Sequence, residues 1–275
     1  MAYVNFKPTV WSVHIQRQLE RDCIFWDCCN HEFEGEAKRG EKVKIVSHGR
    51  PNIGDYTGAD IGAPEPVADN AQFLEITEAK FFNFAVDDVD KAQSIPGLMD
   101  SLMAESAAAM AQVRDEYIAK VAATGATHIS DVLTITDEES AKAAIDAAFT
   151  TLWGNDVPVG DVCSIILPPW FYQDFRGCMQ GLSTDNPKLL ERGVLGKYTN
   201  GNVKLSNSLY NDGTNDYAIV MTKRAVAVAG QINEVEAYRP EGLFADAVKG
   251  LDTYGAKVVR PEQLYVIKCK RGAQG

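Results

Sequence analysis

Four histidines, six cysteines and a run of aspartates are the residues through which this chain could do chemistry. His14, His31, His48 and His128 stand apart, and none shares the His-x-x-x-His spacing that puts two imidazoles on one helix face. Cys23, Cys28, Cys29 and His31 are near enough in sequence to surround a metal. Adjacent cysteines chelate poorly, however, and no Cys-x-x-Cys pair occurs, so these read as buried thiols. Asp87, Asp88 and Asp90 could pair as carboxylates or hold calcium. They lack the glycine and closing glutamate of a calcium loop and read as a solvated or salt-bridged turn. The segment GVLGKY, from Gly193 to Tyr198, has two residues between its glycines where a phosphate loop needs four, and Tyr198 stands where Ser or Thr would meet magnesium. No Gly-x-Ser-x-Gly elbow is present. The patterns point to no catalytic residue, no cofactor and no metal.

The elements that would position any site are unusual. Leu98 to Ala123 reads LMDSLMAESAAAMAQVRDEYIAKVAA, with neither Pro nor Gly. It predicts a helix of about 39 Å at about 1.5 Å per residue. Met99, Met103, Met110, Val113, Tyr117 and Val121 recur at three- and four-residue steps as its apolar stripe. Pro96 suits the helix start, and Gly125 suits a left-handed cap at its end.

Before this helix come an arm and an excursion. Residues 1–37 form the arm: Thr9 can cap a helix from Val10 to about Ile24, followed by the aromatic, irregular run CIFWDCCNHEFEGE. Lys42 to Ser47 alternates as a strand, and Gln72 to Val86 reads as the returning strand. The intervening stretch is dense in Pro and Gly and holds no regular element. A loop of this length is uncommon inside a compact domain and is usually functional or a binding element.

After the helix, Thr127 to Ile135 reads as short strands, and Thr136 with Glu139 as the capping box of a helix reaching Trp153. Gly160 to Pro168 reads as a buried strand, Pro169 to Gly181 as an aromatic helix, and Asn200-Gly201 as a turn between short strands. The remainder is strand-rich, broken at Pro261. The order is arm, hairpin, long helix and mixed body, an α+β class.

Composition narrows the function. A net charge of −11 argues against neutralising nucleic-acid phosphates and against docking on an anionic membrane. No uncharged apolar run approaches membrane-spanning length, and the N-terminus lacks a signal-peptide pattern. Six cysteines without an export signal read as reduced thiols. A protruding hairpin, an aromatic arm and no catalytic constellation suggest a building block that meets copies of itself. An enzyme lidded by the 40–86 loop, or an adhesion or tail module, are the rivals from other classes.

The run FLEITEAKFFNFAVDDVDKAQSIPGLMDSLMAESAAAMA resembles the hairpin return and long helix of tailed-bacteriophage major capsid (coat) proteins. EGEAKRGEKVKIVSHGRPNIGDYT looks like the outgoing half of that hairpin. AVAVAGQINEVEAYRPEGLFADAVKGLDTYGAKVVRPEQLYVI is similar to the family's C-terminal signature. The resemblance implies the HK-ninety-seven-like capsid fold, with an N-terminal arm (1–37), an extended β-hairpin loop (38–86), and a peripheral domain with the spine helix (87–136). It further implies an axial domain (137–221) and C-terminal strands shared between the last two (222–275). It also implies self-assembly through pentamers and hexamers into an icosahedral head enclosing double-stranded DNA without sequence-specific binding. The partners would be copies of itself, a separate scaffolding protein, a portal and a decoration or cement protein, with assembly in the host bacterial cytoplasm and residence in the virion. An encapsulin-like compartment holding cargo enzymes is the alternative within the same fold. On this reading Trp11, Arg17, Phe25, Arg50, Tyr56, Asp87, Asp88 and Arg239 are the candidate intersubunit contacts. The match starts within the first ten residues, so scaffolding is expected to be a separate protein or an already removed segment.

Overall fold

The computed structural model describes residues 23–33, 42–48, 53, 69–87, 98–181, 196–242 and 244–272. The Thr9-capped helix, Trp11, Arg17, Arg50, Tyr56, Asp88, Asp90 and Pro96 lie outside the described residues. So do residues 193–195 of the phosphate-loop look-alike.

A mixed sheet forms one half of the body. Its strands are β4 (His128–Ile129), β5 (Leu133–Ile135), β6 (Cys163–Leu167), β7 (Lys197–Tyr198), β8 (Gly201–Leu205), β9 (Asp216–Thr222) and β12 (Leu264–Arg271). The order is β4-β12-β9-β6-β8-β7, with β5 also on β12. Its central strands are buried on both faces, which explains their nearly continuous apolar runs. Ile165, Leu167, Val203, Ala218, Val220 and Ile267 face α3 (Glu138–Gly154) and α4 (Pro169–Gly181), against Ile145, Phe149, Phe171 and Phe175. Their alternates Ile166, Ile219, Met221, Leu264 and Val266 face the other way, onto α1 (Phe25–Cys28) and the long helix α2 (Leu98–Gly125). Each fully buried Ile, Leu or Phe contributes roughly 1.5–3 kcal/mol, so this double layer is the main store of stability.

The second half is a three-stranded sheet in the order β10-β11-β3, with β10 Val226–Tyr238, β11 Ala245–Val258 and β3 Glu78–Asp87. The returning strand expected from Gln72 to Val86 is two strands. β2 (Asp69–Glu75) pairs with β1 (Lys42–His48), Lys42 opposite Glu75 and His48 opposite Asp69. After a break at Ile76-Thr77, β3 leaves to pair with β11. Gly255 permits this crossing, because a Cβ there would run into the backbone carbonyl of Glu75. Val43, Ile45 and Leu74 then bury the root of the hairpin against Ala227 and Ala229 of β10.

Four local expectations need correction. The buried face of α2 is Ile118, Ala119, Ala122 and Ala123, whereas Val113 of the expected stripe is 42% exposed and Met103 is also exposed. Small residues let the sheet approach the helix, and the larger side chains stand off it. Gly125 is not a left-handed cap: it ends the helix at ordinary φ, and its hydrogen lies where a Cβ would stand 2.8 Å from Val258 Cγ2. The cap of α3 is Asp137, not Thr136; its carboxylate accepts from Ser140 N at 2.8 Å, and Ser140 Oγ accepts from Asp137 N at 3.2 Å. These Ser140 bonds hold the Asp137 carboxyl below its ordinary value. The β7–β8 turn is Thr199-Asn200, with Thr199 at φ 51, while Gly201 packs too tightly on Ile165 to bear a side chain.

Candidate assembly interface

A buried carboxylate decides where the arm joins the body. Asp115 lies on α2 and is 1% exposed. Its Oδ1 accepts from Phe25 N at 2.8 Å and Trp26 N at 3.3 Å, and its Oδ2 accepts from Ile24 N at 3.3 Å. A four-residue helix has too few internal hydrogen bonds to persist alone, so α1 exists because the long helix caps it from outside. Burial pushes the Asp115 carboxyl above its ordinary value, opposed by the three N–H donors and by Arg114.

Arg114 ties the same junction to the second sheet. Its guanidinium lies 4.1 Å from the centre of the Trp26 ring and 3.6 Å from Asp252 Oδ2 on β11. Burial raises Asp252 as well, and Arg114 offsets part of that. Asn30 completes the attachment by pairing with the edge of β10: its N–H donates to Val226 O at 2.8 Å and its carbonyl accepts from Val228 N at 3.0 Å. Nothing in the sequence singles out Asp115, because a lone Asp in a helical run looks like any solvated acid.

Phe25, expected at an intersubunit contact, has no accessible surface. It packs with Ile118, Ala122, Ile219 and Val228, so it anchors the arm to its own subunit. The neighbouring metal-like cluster is spent on other partners. His31 Nε2 lies 2.8 Å from Trp26 O, Cys28 Sγ accepts from Lys204 Nζ at 3.0 Å, and burial pushes the Cys29 thiol well up. Among the described residues no group of three His, Cys, Asp or Glu could hold a metal ion. Arg239 is exposed and stands 3.9 Å from Asp246 across the β10–β11 pair. Asp87 closes β3 opposite Ala245.

Among the described residues an exposed apolar surface lies on the three-stranded sheet. Phe81 is 78% exposed and sits directly opposite Leu251, itself partly bare. Neighbours of one register row share a face, so the two form one apolar step on the side where Glu75 of the hairpin root meets Gly255. On the opposite side a cavity of about 180 Å³ opens between Phe82 and Val235 of the sheet and Met103 and Met110 of α2. Contiguous exposed apolar side chains mark interaction surfaces more often than isolated ones do. The alternation in FFNF hints at this row, but a sequence cannot say which face its own chain covers.

No protein-family model and no curated protein matches the chain. Solved structures do. A structure from Mycobacterium phage Che8 is similar at TM-score 0.84 and 27% identity, over 97% of this chain and 98% of that one. A cyanophage P-SCSP1u capsid structure is similar at TM-score 0.76 and 15% identity, over 98% and 94% of the respective chains. A subunit of an empty gene-transfer-agent (GTA) particle capsid is similar at TM-score 0.71 and 9% identity, over 98% and 97%. The α+β architecture expected from the resemblance is the one these structures share with the chain.

Proposed function

We propose that this chain is a tailed-phage major capsid protein, the repeating subunit of an icosahedral head. The likeness to phage capsid structures along nearly the full length carries this reading. The likeness to shell subunits over nearly the whole of the chain supports a structural role. The encapsulin alternative is not favoured, since the similar structures are phage and gene-transfer-agent capsids.

In this reading function is geometry. Residues 1–37 are the arm, 38–86 the extended loop, 87–136 the peripheral region with the spine, 137–221 the axial domain and 222–275 strands shared by both. Subunits join head to tail in pentamers and hexamers, a heterologous contact closed by rotation. The hairpin lies over the adjacent subunit, where the Phe81–Leu251 step and the Met-lined cavity give apolar purchase. Methionine packing tolerates the small shifts between five- and six-membered rings. Trp11, Arg17, Arg50, Tyr56, Asp87, Asp88 and Arg239 are the further contacts assigned to these joints. Single contacts are weak, and multivalency holds the shell. The acidic balance lets enclosed double-stranded DNA move without adhering. A separate scaffolding protein and a portal take part in assembly in the bacterial cytoplasm, and a cement protein can dress the finished head. Among the described residues no helix is long and apolar enough to cross a membrane. Expression of the chain with and without residues 49–68 tests the reading: the full chain forms closed shells, and the shortened chain folds but does not.

A further inference from the structure

The α2 side of the mixed sheet changes character at one edge. Under α1 and α2 it is apolar, at Ile166, Ile219 and Met221. Toward the β8 edge the same face carries Ser164 of β6 and Asn202 and Lys204 of β8, since Ser164 pairs with Asn202 and Ile166 with Lys204. A cavity of about 350 Å³ stands over these residues, closed by Asp27 and Cys28 of α1 and by Lys223 and Arg224 of the β9–β10 turn.

Its cations lack matching anions. Lys204 Nζ donates to Cys28 Sγ at 3.0 Å, and a thiol sulfur is a weak acceptor for an ammonium with three N–H groups. Neither Lys204 nor Lys223 has a carboxylate within ion-pair distance among the described residues. Arg224 reaches Asp161 only at 3.9 Å. Three cations therefore face two carboxylates, Asp27 and Asp161, leaving a local excess of one positive charge. The chain as a whole carries −11.

We propose that this cavity receives a single carboxylate side chain from a second copy of the chain. The proposal rests on the shell reading, which brings copies side by side. A net excess of one cation suits one carboxylate. A nucleic-acid backbone, with a charge every ~3.4 Å along each strand, would press several phosphates past Asp27 and Asp161. A copy that carries 38 acidic residues against 27 basic ones offers many acidic side chains and few competing cations. A charge-assisted bond from an ammonium to that carboxylate is shorter and stronger than the one Lys204 makes to sulfur.

The test uses empty shells assembled from an equal mixture of ¹⁵N-labelled and unlabelled chain. A water-soluble carbodiimide couples amines to touching carboxylates with loss of water, and mass spectrometry reads the joined peptides. The expected result is Lys204 or Lys223 joined to an Asp or Glu peptide of the other isotope. Joining only to carboxylates of the same isotope, or no joining at all, overturns the proposal. In parallel, the K204Q/K223Q variant is expected to need about tenfold more protein to assemble, while melting as the parent does. Unchanged assembly of that variant also overturns it. If the parent chain forms no shells, the shell reading itself fails; shells without the mixed-isotope link sink this proposal alone.

Discussion

Asp115 accepts the backbone N–H of Phe25 at 2.8 Å across ninety residues of chain, a bond buried at the junction of arm and spine. With the bonds from Ile24 and Trp26 it fixes the start of α1 to the long helix. Asp115→Ala leaves three N–H donors without their acceptor. Urea unfolding should show a loss of roughly 2–4 kcal/mol, with Asp115→Asn losing less. Equal stability of the alanine variant would mean that α1 is held by packing alone.

The pH response of this junction has a definite sign. Burial raises Asp115, and separately Asp252, above the ordinary value of 3.8, against the pull of Arg114. A carboxyl raised on folding binds more protons in the native state than in the unfolded one, so stability falls as pH rises through that window. Relative to Asp115→Asn, the parent chain should therefore lose stability from about pH 4 upward until Asp115 is fully ionised. A difference that grows with pH would show that the N–H donors outweigh burial. Thermal melting of both proteins across acidic buffers measures it.

Phe25→Ala should cost the isolated subunit about 3–5 kcal/mol, as expected for a fully buried aromatic ring. Guanidinium unfolding of unassembled protein is the check. A change under about 1 kcal/mol would place Phe25 outside the core.

Phe81→Ser acts at the opposite extreme of exposure. The subunit should keep its stability within about 0.5 kcal/mol, because the side chain is mostly in water. Shell formation followed by light scattering should slow or stop. Normal assembly would remove the Phe81–Leu251 step from the interface.

Gly255→Ala probes the hairpin root, where a Cβ meets the Glu75 carbonyl. Overpacking against backbone should cost about 1–3 kcal/mol and loosen the β2–β3 crossing. Hydrogen exchange at Leu74 and Glu75 should quicken well before exchange at Ile165 does. Uniform quickening would mean that the root and the mixed sheet open together.

Elements with strong local signals were legible in the sequence. The long helix, the aromatic helix Pro169–Gly181 and the hairpin's first strand follow from periodicity and breakers, and their observed bounds agree closely. What escaped was tertiary. Side-chain size points to the methionine stripe, whereas the buried face holds alanines that permit close approach. The break at Ile76-Thr77 is invisible locally because both halves are good strands; it exists because β2 and β3 have different partners. Phe25 was legible as needing cover but not as finding it at home, since its cover is Asp115 and Ile118 of a distant helix. The charge imbalance around Lys204 comes from four separate segments and needs the fold to assemble it.

Electron microscopy of the purified full-length chain tests the central claim most directly. Closed hollow particles of uniform size, built of five- and six-membered rings, are the predicted result. A protein that stays monomeric or stops at small rings under all assembly conditions would contradict it.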